Sequence, residues 1–136
     1  MTVTNSTPAS LRDVFVLSGL LDGNLATSDA LEWQEWVQPG REAVDIRWLV
    51  TPGVSGPEGC TMFLVSFKPG AHGDLHRHLG HELMFVLEGQ LHNDNGDVYP
   101  RGSLIVEQPD STHQVSSPGG CVLLVVRERP VVPVSQ

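Results

Sequence analysis

Fourteen glycines and ten prolines are scattered through a chain of 136 residues, and they cut its apolar residues into short runs. CTMFLVSF stops at Pro69-Gly70, ELMFVLE at Gly89, and CVLLVV follows Pro118-Gly119-Gly120. A helix needs ten or more residues to present an apolar stripe, and each interior glycine or proline costs it about 1 to 3 kcal/mol. A strand needs only four to eight residues, and glycine and proline serve well in the turns between strands. The pattern therefore predicts an all-β domain of about eight or nine short strands, a sandwich or closed barrel rather than a parallel α/β sheet.

Individual segments sharpen that reading. MTVTNSTPAS is polar and reads as a loose terminus. LRDVFVLSGLL fits either a short helix capped by Ser10 or an edge strand. Val44, Ile46 and Trp48 alternate with Asp45, Arg47 and Leu49, as in a strand, and TPGVSGPEG reads as a loop. ELMFVLEGQLHNDNGDVY reads as two strands around Gly89 with a turn at Asn95-Gly96. The tail PVVPVSQ can be at most an edge strand, because proline cannot donate to a ladder. There is no internal repeat, so a single domain over 1–136 is expected: an N-terminal arm over 1–30, a barrel core over 40–128 and a C-terminal tail over 129–136.

Charge and cysteine content exclude several functions. The formal net charge is −8, which argues against nucleic acid or an anionic membrane as a partner. No apolar stretch approaches the length of a membrane span, and the N-terminus shows no signal-peptide pattern. Cys60 and Cys121 form no close pair, so a reduced, cytoplasmic setting is expected, with both thiols packed as small hydrophobes. No nucleophile elbow, phosphate loop or dinucleotide fingerprint is present.

The chemistry concentrates in HRHLGHELMFVLEG, from His76 to Gly89, which holds three of the six histidines. Residues i and i+2 of a strand share a face, so His76 and His78 can aim at one point. A bend at Leu79-Gly80 would return Glu82 to that point from the next strand, and a barrel can bring His113 there from farther along the chain. Three neutral imidazoles and a carboxylate suit one divalent transition metal with positions left open. His81 becomes the fourth ligand instead of Glu82 if the bend is shifted. Should Glu82 stand back from the metal, it becomes an acid/base or a hydrogen-bond partner. His72 reads either as a catalytic donor at the pocket rim or as an exposed loop residue. His92 can face inward or outward, and Arg101 sits in a turn expected to face solvent. Met62, Leu64, Met84, Phe85, Val86, Leu104, Val106 and Val115 supply apolar walls, some to a pocket and most to the core.

The spacing Gly70-x5-His76-x-His78-x3-Glu82-x6-Gly89 resembles the first cupin motif at every position. The second motif is present in weaker form. Gly102 and His113 keep their separation, but Gln108 stands where proline is usual, Asp110 where glycine is usual, and Ser117 where asparagine is usual. From about residue 30 to 128, including LEWQEWVQPG, LEGQLHNDNGDVYPRGS and HQVSSPGGCVLLVV, the chain resembles the cupin-like family typified by the ChrR anti-sigma factor. That family includes a zinc-binding sensor domain and free-standing enzymes similar to acetylacetone and dihydroxyacetophenone dioxygenases.

The resemblance implies a double-stranded β-helix, or jelly-roll barrel, with a metal on His76, His78, Glu82 and His113. Iron(II) comes first, with zinc(II), manganese(II) and nickel(II) as alternatives. It further implies an enzyme acting on a small dicarbonyl, enolic or phenolic substrate: an iron-dependent dioxygenase that uses O2 to cleave a carbon–carbon bond. The alternatives are a polyketide cyclase or isomerase using the metal as a Lewis acid, and a sensor module resembling the anti-sigma factor's cupin domain. No histidine or cysteine precedes residue 40, so the helical zinc domain of such an anti-sigma factor is not expected. A homodimer is also implied, with the apolar stretch VFVLSGLL contributing to its interface.

Overall fold

The computed structural model describes residues 3–5 and 14–134. Its strands are, in order, β1 Thr4–Asn5, β2 Leu17–Ser18, β3 Gln34–Glu35, β4 Glu42–Val50, β5 Thr61–His72, β6 His76–His78, β7 Glu82–Asn93, β8 Val98–Pro100, β9 Leu104–Glu107, β10 Thr112–His113, β11 Val115–Ser117, β12 Cys121–Arg127 and β13 Val131–Pro133. A 3-10 turn over Asp29–Leu31 is the one helical element among the described residues. The largest sheet runs β11-β7-β12-β5-β4-β3, with β8 and β9 also on β7. Because β11 pairs with both β7 and β5, the ladder returns on itself and closes a barrel. A smaller sheet, β10-β6-β13, carries three of the candidate site residues.

Alternation along the long strands explains why both faces of this sheet are apolar. Phe63, Val65 and Phe67 of β5, Met84 and Val86 of β7, and Leu123 and Val125 of β12 bury inward in one cluster. Leu64 of β5, Leu87 of β7 and Val122 of β12 point the other way, where Val3, Leu25 and Leu31 cover them. Each such fully buried side chain stabilises the fold by roughly 1.5–3 kcal/mol relative to leaving it in water. The covering segment is held by polar contacts as well. Leu25 N–H donates to Glu88 Oε1 at 3.0 Å, and Trp33 Nε1–H donates to the Leu25 carbonyl at 3.0 Å.

Several segments differ from their sequence-based expectation. The chain continues through Gly89 as one strand of 12 residues rather than two. Gly89 takes a φ of 73°, and a Cβ there would lie 2.1 Å from the Gly120 carbonyl, so glycine lets β7 bend against β12 without breaking. Among the described residues the strands number thirteen, because several pieces of two or three residues also pair. Within LRDVFVLSGLL no helix forms over residues 14–21. Leu17–Ser18 pairs as a short strand with Thr4–Asn5, and Ser10 lies outside the described residues. Arg101 is not simply solvent-facing: its guanidinium donates to the Leu87 and Leu21 carbonyls and clasps the N-terminal segment. The tail does form an edge strand, β13, on β6. Cys121 is buried, which pushes its thiol up to about 11, and Cys60 is half-buried; both are free thiols. No described helix is long and apolar enough to cross a membrane.

Candidate metal centre

His76 and His78 project from one face of β6, and Arg77 between them points away to Asp110. After the turn at 79–81, β7 opens with Glu82 on the inward face. β10 lies antiparallel to β6 with His113 directly opposite His76. All four side chains are buried, and one ligand atom from each lies within 4.8 Å of the others. His113 Nε2 is 3.0 Å from His76 Nε2, and His78 Nε2 is 3.1 Å from Glu82 Oε1.

The outer nitrogens show what the inner ones can do. His76 Nδ1 is 2.9 Å from the Asp74 carbonyl and His78 Nδ1 is 2.9 Å from the Ser111 carbonyl. A carbonyl only accepts, so each Nδ1 carries a proton, and in the neutral ring Nε2 is a lone pair. His113 Nδ1 lies 3.0 Å from Glu107 Oε1, close but off the line of a well-formed hydrogen bond. The Nε2 atoms of three imidazoles and a carboxylate oxygen thus converge on one point, where a bound metal would replace the hydrogen-bond contacts at 3.0 and 3.1 Å. A divalent cation resolves that arrangement, and the nitrogen and oxygen donors fit one.

The electrostatics keep His76 and His113 neutral and tie His78 to Glu82. Burial lowers His76 to about 4, only partly offset by Glu82. Burial also lowers His113, partly offset by Glu107 and Glu82. For His78 burial is outweighed by the hydrogen bond and charge of Glu82, so it rises above the ordinary imidazole value. Burial alone would raise Glu82, but the charge of Arg127 and the hydrogen bond from His78 hold it well below the usual carboxylate range. Arg127 Nε–H donates to Glu82 Oε2, across the β12–β7 register that pairs the two residues.

A cavity of about 40 Å3 lies against His76, Glu82 and His113, with walls that include Trp36, Val44, Phe63, Met84, Val115 and Val125. Arg41 and Asp74 stand on its edge as a buried ion pair of 3.0 Å, with the Arg41 guanidinium 3.7 Å over the Trp36 ring. Of the walls expected from sequence, Met84 and Val115 line the cavity and Val86 lies in the inner core. Leu64 and Phe85 turn to the outer core, while Met62, Leu104 and Val106 are exposed. His72 is not brought to the site: its ring sits at the far end of β5, 3.3 Å from Glu42. His81 points outward to Glu128 at 2.9 Å, because adjacent residues entering a strand face opposite sides. His92 is half-buried where β7 pairs with β11, outside the centre.

Sequence reasoning missed Arg127, Arg41, Asp74, Trp36, Glu107 and Ser111. Arg127 was open to inference, since it shares the parity of Leu123 and Val125 at the end of an apolar run. The contribution of Asp74 and Ser111 comes through main-chain carbonyls, which leave no residue-type signal. Asp110 takes a φ of 71°, which accounts for the departure from the second motif: aspartate tolerates the left-handed conformation that the usual glycine would adopt.

Comparisons with known proteins agree with this architecture. Residues 22–132 match the ChrR Cupin-like domain family. A cupin-fold protein of unknown function from Ralstonia eutropha JMP134 is 25% identical with a TM-score of 0.62, over 70% of this chain. The chain spans only 60% of that protein's length. An acetylacetone dioxygenase from Acinetobacter johnsonii aligns with all of this chain and 86% of its own, at 14% identity and a TM-score of 0.70. The polyketide cyclase RemF from Streptomyces resistomycificus covers 79% of this chain and 82% of its own, at 21% identity and a TM-score of 0.65. The last two show a shared fold and no more. No curated protein matches the chain in sequence.

Proposed function

The chain belongs to the ChrR cupin-like domain family, and on that premise we propose that it is a metal-dependent dioxygenase for a small dicarbonyl or enolic substrate. The observation that carries the reading is the convergence of His76, His78, Glu82 and His113 within 4.8 Å against an apolar cavity. A divalent metal there supplies Lewis-acid polarisation of a substrate oxygen and, as iron(II), the redox chemistry that O2 requires. His76, His78 and His113 offer neutral nitrogens whose orientation is set from behind by Asp74, Ser111 and Glu107. Glu82 supplies negative charge. Held so far below the usual carboxylate range, it is a weak base at neutral pH, which favours a ligand or counter-charge over a general base.

Cavity size favours a small substrate over a polyketide chain. About 40 Å3 is well under the roughly 300 Å3 of a drug-sized pocket. The walls orient such a molecule and exclude water from it. The test is metal analysis of chain purified without chelator, then oxygen uptake with acetylacetone after anaerobic iron(II) loading. Substrate-dependent O2 consumption supports the dioxygenase. Tightly held zinc with no O2 consumption contradicts it and points to Lewis-acid or sensor use of the same centre.

A further inference from the structure

Two arginines line the cavity, and they are used differently. Arg41 is committed to the protein: one amino group donates to Asp74 Oδ1 at 3.0 Å and the other to the Trp36 carbonyl at 3.4 Å. Arg127 is engaged at one corner only. Its Nε–H holds Glu82, and among the described residues no hydrogen bond engages Nη1 or Nη2. Yet its side chain is only 13% exposed, and its guanidinium carbon lies 5.1 Å from the Phe63 ring and 5.6 Å from the Trp36 ring, both cavity walls. A guanidinium carries five donors, and those on the Nη edge of Arg127 keep slight solvent access and are free to meet a ligand acceptor.

The charges around the cavity point to the sign of that acceptor. Its lining contains two carboxylates, Asp74 and Glu82, and each already holds an arginine. The two pairs cancel. A divalent metal on neutral imidazoles would therefore leave a surplus of positive charge against apolar walls, which an anion balances.

Resting on the reading of this cavity as a substrate pocket, we propose that Arg127 determines its specificity: the Nη edge binds an anionic oxygen, carboxylate or enolate, while Nε keeps Glu82 in place. The pocket thereby selects molecules that enter as anions. A planar fork of two donors also fixes the orientation of that oxygen in a way a lysine ammonium does not.

The test uses the full chain loaded with cobalt(II), whose visible absorption reports ligands arriving at the metal. Three probes are titrated: acetoacetate, acetylacetone, and 3,3-dimethyl-2,4-pentanedione, a diketone that stays neutral because it cannot form the central enolate conjugated with both carbonyls. The native chain should bind one or both of the first two at least about tenfold more tightly than the third. Arg127→Met should lose that preference, and Arg127→Lys should keep part of it at unchanged cobalt content. Loss confined to acetoacetate assigns Arg127 to a carboxylate, and loss confined to acetylacetone to an enolate. Should Arg127→Met fail to fold or hold cobalt, the Lys variant decides by whether its preference falls. An unchanged preference in a variant that holds cobalt overturns the assignment and leaves the pocket reading intact. If no probe perturbs the cobalt spectrum of the native chain, it is the pocket reading itself that falls.

Discussion

Along β12, Leu123 and Val125 turn toward the cavity while Val122 and Leu124 turn toward the N-terminal segment. The two faces of one strand are thus both buried, but against different things. Inside, apolar side chains surround four buried ionisable groups and a cavity. Outside, the side chains of Val3, Leu25 and Leu31 seal the sheet, and the hydrogen bonds there serve only to hold the covering segment. The outer face can be optimised for stability, whereas the inner face must hold polar groups whose ligand atoms point at one another. The comparison teaches that stability and chemistry are separable here, residue by residue, on alternate positions of the same strands.

That separation can be broken most severely from the inside. His113→Ala or His76→Ala should abolish stoichiometric metal binding, measured by elemental analysis after loading and desalting, with the β-sheet circular dichroism kept. Full metal content in both variants would end the assignment of the centre. From the outside, Leu31→Ala should cost about 2–5 kcal/mol of unfolding free energy by urea denaturation, because the side chain is fully buried. The same variant should still bind one metal per chain; loss of metal there would mean the two faces are coupled.

Smaller changes sharpen the contrast. Glu107→Ala removes the carboxylate behind His113 and should weaken metal binding about 10- to 100-fold in a chelator competition. Glu42→Ala, which removes the partner of His72 on an exposed edge, should leave metal affinity unchanged and alter stability by less than about 0.5 kcal/mol. A small gain is expected at the neighbouring Ala43, which sits at a bulge of β4 with a φ of 59°. Ala43→Gly should raise stability by up to about 1 kcal/mol in urea denaturation, since glycine adopts this conformation without a Cβ penalty.

How far sequence could anticipate this molecule follows from the same two faces. His76, His78 and Glu82 were legible because strand parity and a bend at Gly80 act over seven residues of chain, whereas His113 was reached through the spacing of the second cupin motif. An all-β domain was legible from glycine and proline punctuation, and its closure into a barrel from the resemblance to the cupin motif. Which apolar residue faces which core was not, because a strand buried on both sides reads as a continuous run, as in FLVSF and CVLLVV. Leu64 and Phe85 consequently could not be sorted between pocket and core from parity, and they lie on the outer side. His72 looked near the site in sequence, but β5 carries it past the cavity to Glu42. Arg41 and Trp36 reach the cavity by packing from a segment with no motif of its own, so only the assembled barrel reveals them.

X-ray absorption at the metal edge of the iron(II)-loaded chain reads the donors at the His76, His78, Glu82 and His113 centre. One iron per chain is expected, with about three imidazole nitrogens at roughly 2.0–2.2 Å and further oxygen donors. Iron without imidazole scattering, or no retained iron or other divalent transition metal after loading, would contradict it.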